Sequence, residues 1–332
     1  MNLNITFDKP FKTYEEQIEI LKSRKIKISN PDFARQVLSS LSYYTIINGY
    51  KNTFLSVPGS DDFVEGTTFD SLYTLHIIDS NLNSIILKYI LFVERYLKTR
   101  ISYLVSQNYG VYTDPSDLTN TNPDDYLCRN YYNGKGKNNI LKSIKEILSS
   151  PSINNSVAHY ANDKNHIPAW ILVTTIPFGL TIKWYSILSS TDKQSICEEF
   201  LPTTDLTVEE KKEFITTAFS LLRKYRNNIA HGNRTFSVTN LPVLPKKALL
   251  LLAKGGTSEK EYNAGYGKND SFAVILICFI LINDRYLLSN FLADLEYALM
   301  PYKDISINGI TIFETFKLPN DFIERLKKMI EN

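Results

Sequence analysis

From Phe69 to about Gln107, the apolar residues Leu72, Leu75, Ile78, Leu82, Ile85, Ile86, Tyr89, Ile90, Val93, Leu97, Ile101 and Leu104 recur mostly at steps of three and four. That period is one face of an α-helix and does not fit a strand. At ~1.5 Å per residue an unbroken helix here would run roughly 55–60 Å. A compact bundle has no room for it, so the pattern predicts either a kink or a helix that spans a dimer. In both cases the chain is committed to a mainly α fold.

The chain has 332 residues, enough for one large domain or two ordinary ones. Hydrophobic residues at 43% and charged residues at 22% argue against a disordered chain and for a buried core. A formal charge of +2 is too small to draw the whole molecule to nucleic acid, so any basic face must be local. The cysteines Cys128, Cys197 and Cys278 are odd in number and widely spaced. They imply neither a disulfide framework nor a zinc site, and they favour a reducing cytoplasm. The N-terminal stretch has no apolar signal core, and the longest apolar run, Phe272–Ile282, is too short to span a bilayer. The expectation is a cytoplasmic protein with no membrane partner.

Residues 1–10 read as an extended lead-in. Thr13-Tyr14-Glu15-Glu16 is a capping box for a first helix, with Ile18 and Leu21 inward. Asn30-Pro31-Asp32 opens a second helix that carries Phe33, Val37, Leu38 and Leu41 inward. The aromatic segment Ser42–Tyr50 suits base stacking or packing between helices, and packing is the stronger reading. Pro58–Asp62 is a turn. Residues 109–139 are loop-like, and Leu141–Ser149 is a short helix. Pro168-Ala169-Trp170 opens a helix that Pro177-Phe178-Gly179 breaks, with the next beginning near Thr181. Thr207-Val208-Glu209-Glu210 is a second capping box and starts a helix over Val208–His231, closed by Gly232. Beyond Arg234, Thr235–Val238 and Leu241–Leu244 read as short strands or extended loop. Lys254–Asp270 reads as mobile, and Ser271–Met300 as one apolar core helix. Asn308-Gly309 within 305–312 signals a hairpin, and Asn320–Ile330 is a terminal helix. The expected organisation is an N-terminal helical segment (1–65), a helical core (66–234), and a C-terminal α extension (235–332). The extension carries minor β, and its helix 271–300 packs on the core.

The chemistry-bearing stretch is Leu221–Arg234, LLRKYRNNIAHGNR. Four residues separate Arg226 from His231 at the end of an amphipathic helix. With ten arginines and four histidines in the chain, this spacing alone is weak. A cation in the last helical turn before a glycine is also what dipole and capping preferences produce without any catalysis.

Context adds to it. Arg226, polar Asn227, and His231 resemble the signature of HEPN ribonucleases. Six stretches in order resemble the Abi-like proteins of bacterial phage defence, the abortive-infection AbiD/AbiF group. They are Phe11–Ile18, Leu41–Tyr50, Gly66–Phe69, Glu94–Gly110, Pro168–Gly179 and Arg226–His231. The resemblance spans roughly residues 10–235. It implies a HEPN-like helical bundle, metal-independent RNA cleavage, a toxin-like role in phage defence, and control by a small non-coding RNA in some systems. It also suggests kinship with RNA-cutting type VI CRISPR effectors. The sequence departs from the pattern where relatives carry a histidine and an acidic residue: here stand Leu104, and Thr174 with Thr175. These positions add no second catalytic set.

RNA transesterification needs a proton taken from the 2′-hydroxyl, one given to the 5′-oxygen, and charge stabilisation at phosphorus. Histidine, with a reference pKa near ~6.5, serves either transfer. Arginine forks onto phosphate oxygens. His231 is therefore the candidate acid/base, Arg226 the phosphate clamp, and Asn227 or Asn228 a positioning group. Arg223, Lys224, Arg234, Lys98 and Arg100 are candidate RNA contacts. For Lys98 the plain alternative is an i,i+4 ion pair with Glu94 on a solvated face. No metal or other cofactor is expected. One Arg–His pair is half of what two proton transfers want, so a homodimer with a shared site is expected. Two readings stay open beside this one. One is a non-catalytic RNA-binding or antitoxin-type helical module. The other is a structural bundle using Ser271–Met300 as an interface.

Overall fold

The computed structural model describes residues 8–57, 59–150, 155–202 and 205–331. The first seven residues and Pro58 of the expected turn lie outside the described residues. The helices, in order, are α1 (Tyr14–Ser23), α2 (Pro31–Tyr43), α3 (Gly49–Phe54), α4 (Phe69–Tyr109), α5 (Lys137–Leu148), α6 (Asn155–Asp163), α7 (Ala169–Leu172) and α8 (Phe178–Ile187). They continue as α9 (Ser190–Phe200), α10 (Val208–Ala230), α11 (Lys246–Leu252), α12 (Glu259–Ala264), α13 (Ser271–Leu281) and α14 (Arg285–Leu299). After a hairpin of β1 (Ser306–Ile307) and β2 (Ile310–Thr311) come α15 (Ile312–Thr315) and α16 (Phe322–Glu331). The fold is mainly α, as the periodicity predicts. Two compact units divide it, one of residues up to Asn83 with Glu296–Phe316, the other of Ser84–Leu295 with Lys317 onward.

In the first unit, α1 starts on the expected capping box. The Glu16 amide donates to Thr13 Oγ1 and the Thr13 amide to Glu16 Oε2, so two otherwise unpaired donors at the helix start are satisfied. Asn30 caps α2, accepting from the Phe33 amide at 3.0 Å. Ala34, Val37 and Leu38 are buried, whereas Phe33 and Leu41 are only half-buried. A π-helical turn, Tyr44–Asn48, joins α2 to α3 and buries Ile46 and Ile47. Packing holds for Tyr50, which is buried and donates to Asp79 Oδ2 at 2.8 Å. Tyr44 instead faces solvent. The hairpin pairs Ser306 with Thr311 and Ile307 with Ile310. Its turn residues Asn308 and Gly309 have φ of +54° and +78°, as a two-residue turn of this hand requires.

α4 is hydrogen-bonded as a single helix of 41 residues, Phe69–Tyr109. Its residues through Asn83 belong to the first unit and those from Ser84 to the second. Its apolar stripe is buried throughout except Ile85, which is half-buried.

In the second unit, α10 packs against α8, α9, α11 and α13. Phe214, Ala218, Leu221, Leu222 and Tyr225 are its buried face. The capping box of Thr207 and Glu210 opens it as expected. The loop after α4 is fixed by a buried ion pair. Lys145 and Asp125 are both fully buried, 2.7 Å apart, and Asp125 also accepts from the Leu127 and Asp114 amides.

Several expectations are corrected. Ser271–Met300 is two helices, because Asp284 Oδ1 accepts from the Tyr286 and Leu287 amides and starts α14 afresh. α8 begins at Phe178, capped by Pro177, rather than near Thr181, and α5 begins at Lys137. Within 254–270 lies α12, held by a capping box of Ser258 and Glu261 and by the Arg325–Glu261 ion pair at 2.8 Å. Thr235–Ser237 is a 3₁₀ turn, and 241–244 is extended chain without strand pairing. Helices α6, α9 and α11 carry no expectation from the sequence. Among the described residues no helix is long and apolar enough to cross a membrane.

Candidate active site

The site begins with how α10 ends. His231 is the C-terminal cap, and its amide donates to the Asn227 carbonyl at 3.1 Å. The Gly232 amide reaches Ile229 O at 2.9 Å and the Asn233 amide reaches Asn228 O at 3.1 Å. Together these two bonds form a Schellman closure, which needs a left-handed residue after the cap. Gly232 supplies it with φ +71°. Asn228 Nδ2 donates to Arg234 O at 3.1 Å and ties down the chain as it leaves the helix. Asn228 thus acts on the backbone around His231.

Arg226 sits inside the helix, with its side chain 34% exposed. Its Nε is buried and lies 4.0 Å from Glu94 Oε2, beyond hydrogen-bond range. Glu94, on α4, is only 7% exposed. Its other oxygen, Oε1, accepts from Lys98 Nζ at 2.8 Å. One buried carboxylate therefore stands between two cations from two helices.

His231 and Asn227 are exposed, and among the described residues the His231 imidazole has no hydrogen-bond partner. Arg223, one turn before Arg226, runs its aliphatic part over Gly179, with Cδ 3.4 Å from where a Cβ would stand. Lys224 Nζ donates to Asn240 O. Arg234 is half-exposed.

Arg100 is committed elsewhere. Its Nε donates to Glu199 Oε2 at 3.1 Å and its guanidinium lies 3.7 Å from the centre of the Phe200 ring. Burial pulls its pKa below the usual arginine value, and Glu199 opposes the change. Lys98 is held by Glu94. Both cations named as candidate RNA contacts on α4 thus have intramolecular partners, while Arg223, Arg226 and His231 lie along the C-terminal part of α10 and its cap. Leu104 is buried, and the Thr174 and Thr175 hydroxyls donate to carbonyls of their own turn. Among the described residues no group of three or more His, Cys, Asp or Glu side chains is placed to hold a metal ion.

The group that sequence reasoning missed is Glu94 as a neighbour of Arg226. Its i,i+4 relation to Lys98 is local and visible, but its approach to Arg226 is a tertiary fact with no signature in the chain.

Residues 36–237, well over half the chain and ending just past this site, match the family model described as Abi-like protein. No curated protein and no solved structure matches the chain.

Proposed function

The chain belongs to the Abi-like family, and we propose that it is a metal-independent HEPN-type endoribonuclease of bacterial phage defence with Arg226 and His231 as its principal catalytic residues. The observation that carries this reading is the end of α10. It offers a part-exposed guanidinium and an exposed imidazole, and a Schellman closure fixes the backbone that holds the imidazole.

In this mechanism the 2′-oxygen of the substrate attacks the adjacent phosphorus and the bond to the 5′-oxygen breaks. The 2′-hydroxyl gives up its proton to a base, and the departing oxygen takes one from an acid. His231 serves one of these transfers. The terminal nitrogens of Arg226 bind the phosphate oxygens as negative charge builds there. Arg223, with Arg234 and Lys224, guides the backbone. The products carry a 2′,3′-cyclic phosphate and a free 5′-hydroxyl. Five residues turn a helix through roughly 500°, so Arg226 and His231 project in different directions. Two copies facing each other about a two-fold axis would bring a second histidine to the same phosphate, and a homodimer completes the proposal.

The test is cleavage of labelled RNA in EDTA by the parent protein beside Arg226→Ala and His231→Ala proteins of matched melting temperature. Cleavage by the parent alone, with cyclic phosphate ends, supports the reading. RNA bound but not cut, weakened by Arg226→Ala and with no small RNA co-purifying, would replace it with a non-catalytic RNA-binding module. A co-purified small RNA whose removal releases cleavage would identify the controlling partner.

A further inference from the structure

We propose that Glu94 is a positioning residue for Arg226, holding the guanidinium by its Nε edge so that its terminal nitrogens face the substrate. The proposal rests on the reading of Arg226 as the phosphate clamp and names what aims it.

Three observations carry it. First, the contact is one-sided. The guanidinium has five donors, and a carboxylate that took the terminal pair in a fork would neutralise and occupy the clamp. Here the closest approach is Oε2 to Nε, at 4.0 Å, so the terminal nitrogens lie further off. Second, both atoms are buried and neither has a hydrogen-bond partner within the protein. A carboxylate oxygen and an N–H donor left unbonded in the interior are costly, and such groups ask for a reason in a folded protein. Third, the carboxylate is itself anchored. Lys98 takes Oε1 at 2.8 Å from one turn further along α4, and both side chains sit against the helix rather than in solvent. With Lys98 and Arg226 both beside one Glu94, two cations and one carboxylate leave the group net positive. That is the sign a phosphate requires.

A solvated i,i+4 pair on α4 would account for Lys98 but not for the burial of Glu94, which is 7% exposed and 4.0 Å from Arg226. Nor would it account for the direction of Oε2. Glu94 touches no substrate in this arrangement. It acts through Arg226.

The experiment uses the full chain as parent, Glu94→Gln, Glu94→Asp, Arg226→Ala and Glu94→Gln/Arg226→Ala proteins. The first measurement is the ¹H–¹⁵N signal of the Arg226 Nε–H, assigned by its loss in Arg226→Ala. We expect it to be protected from solvent exchange in the parent and to shift and lose protection in Glu94→Gln. The second is RNA affinity and cleavage. Glu94→Gln should lower both by about ten-fold and add nothing in the Arg226→Ala background, since the two residues act as one unit. Should Glu94→Gln fail to fold, Glu94→Asp carries the comparison, because it keeps the charge and withdraws it by one methylene. An Nε–H signal indifferent to Glu94, or losses that multiply in the double variant, overturns the proposal. If the parent neither binds nor cuts RNA, the nuclease reading fails on its own, and the Nε–H signal still decides whether Glu94 holds Arg226.

Discussion

The Asn233 amide lies 3.1 Å from the Asn228 carbonyl, and this bond closes α10 around His231. It forms only if the chain turns left-handed at Gly232. A Cβ there would meet nothing within 4 Å, so the demand is one of backbone conformation and not of space. Gly232→Ala should therefore cost about 1 kcal/mol of unfolding free energy, the penalty of a left-handed non-glycine residue. It should also slow RNA cleavage by more than its small unfolded fraction explains. Urea denaturation and cleavage rates on the same preparation test this. An unchanged midpoint with an unchanged rate would show that His231 does not depend on the cap.

Arg100 and Arg223 are expected to behave in opposite ways. Arg100→Met loses the Glu199 ion pair and the stacking on Phe200. It should reduce stability by roughly 1–3 kcal/mol and leave the salt dependence of RNA binding unchanged. Arg223→Met removes the guanidinium and keeps most of the aliphatic packing over Gly179. It should leave stability nearly intact and reduce the slope of log affinity against log salt by about one. Binding titrations at four salt concentrations separate the two. Equal slopes for both variants would remove Arg223 from the RNA contacts.

Lys145 stabilises the fold without touching the site. Its ammonium is fully buried against Asp125 and also donates to the Asp117 carbonyl at 2.7 Å. Lys145→Met leaves the Asp125 carboxylate buried without its cation and should cost about 3–5 kcal/mol, measured by urea unfolding. A loss under about 1 kcal/mol would mean that the loop relaxes and lets water reach Asp125.

His76 gives the first unit a pH dependence. Burial lowers its pKa from the ordinary value of 6.5, with Asp79 opposing the shift, and its Nδ1 lies 3.2 Å from the Tyr50 hydroxyl. The folded state then binds its proton less readily than the unfolded state. This contribution to stability is complete above the unfolded pKa and is lost as pH falls from there through the folded value. His76→Gln should flatten that part of the stability profile below pH ~6.5. A slope unchanged by the substitution would assign it to other groups.

Where local chemistry decides the structure, the sequence is readable. α10 is legible from end to end because a capping box starts it, a 3.6-residue period fills it, and a glycine stops it. The hairpin is legible because Asn308-Gly309 admits few other conformations. The break at Ile282–Asp284 is harder to see, because apolar residues on both sides sustain a helical pattern and only the Asp284 cap interrupts it. α12 had its signal in Ser258-Glu259-Lys260-Glu261, masked by the surrounding glycines and lysines. For the candidate site, the Arg226–His231 pair lies within one short stretch and so could be named from it. Glu94 could not be joined to it, because the two residues lie 132 positions apart and approach only in the folded chain. The same is true of Arg100, whose partners Glu199 and Phe200 come from the end of α9.

Helix ends open before helix middles, and the last turn of a helix is the first to exchange its amide hydrogens. Arg226 stands more than a turn inside α10, whereas His231 is the cap itself. Warming short of melting should therefore loosen the backbone that carries the imidazole while the guanidinium stays in place. In hydrogen exchange the amides of His231, Gly232 and Asn233 would exchange together, ahead of Tyr225. On the proposed reading, a site built half on a rod and half on the cap that closes it would lose its proton carrier before its anion clamp.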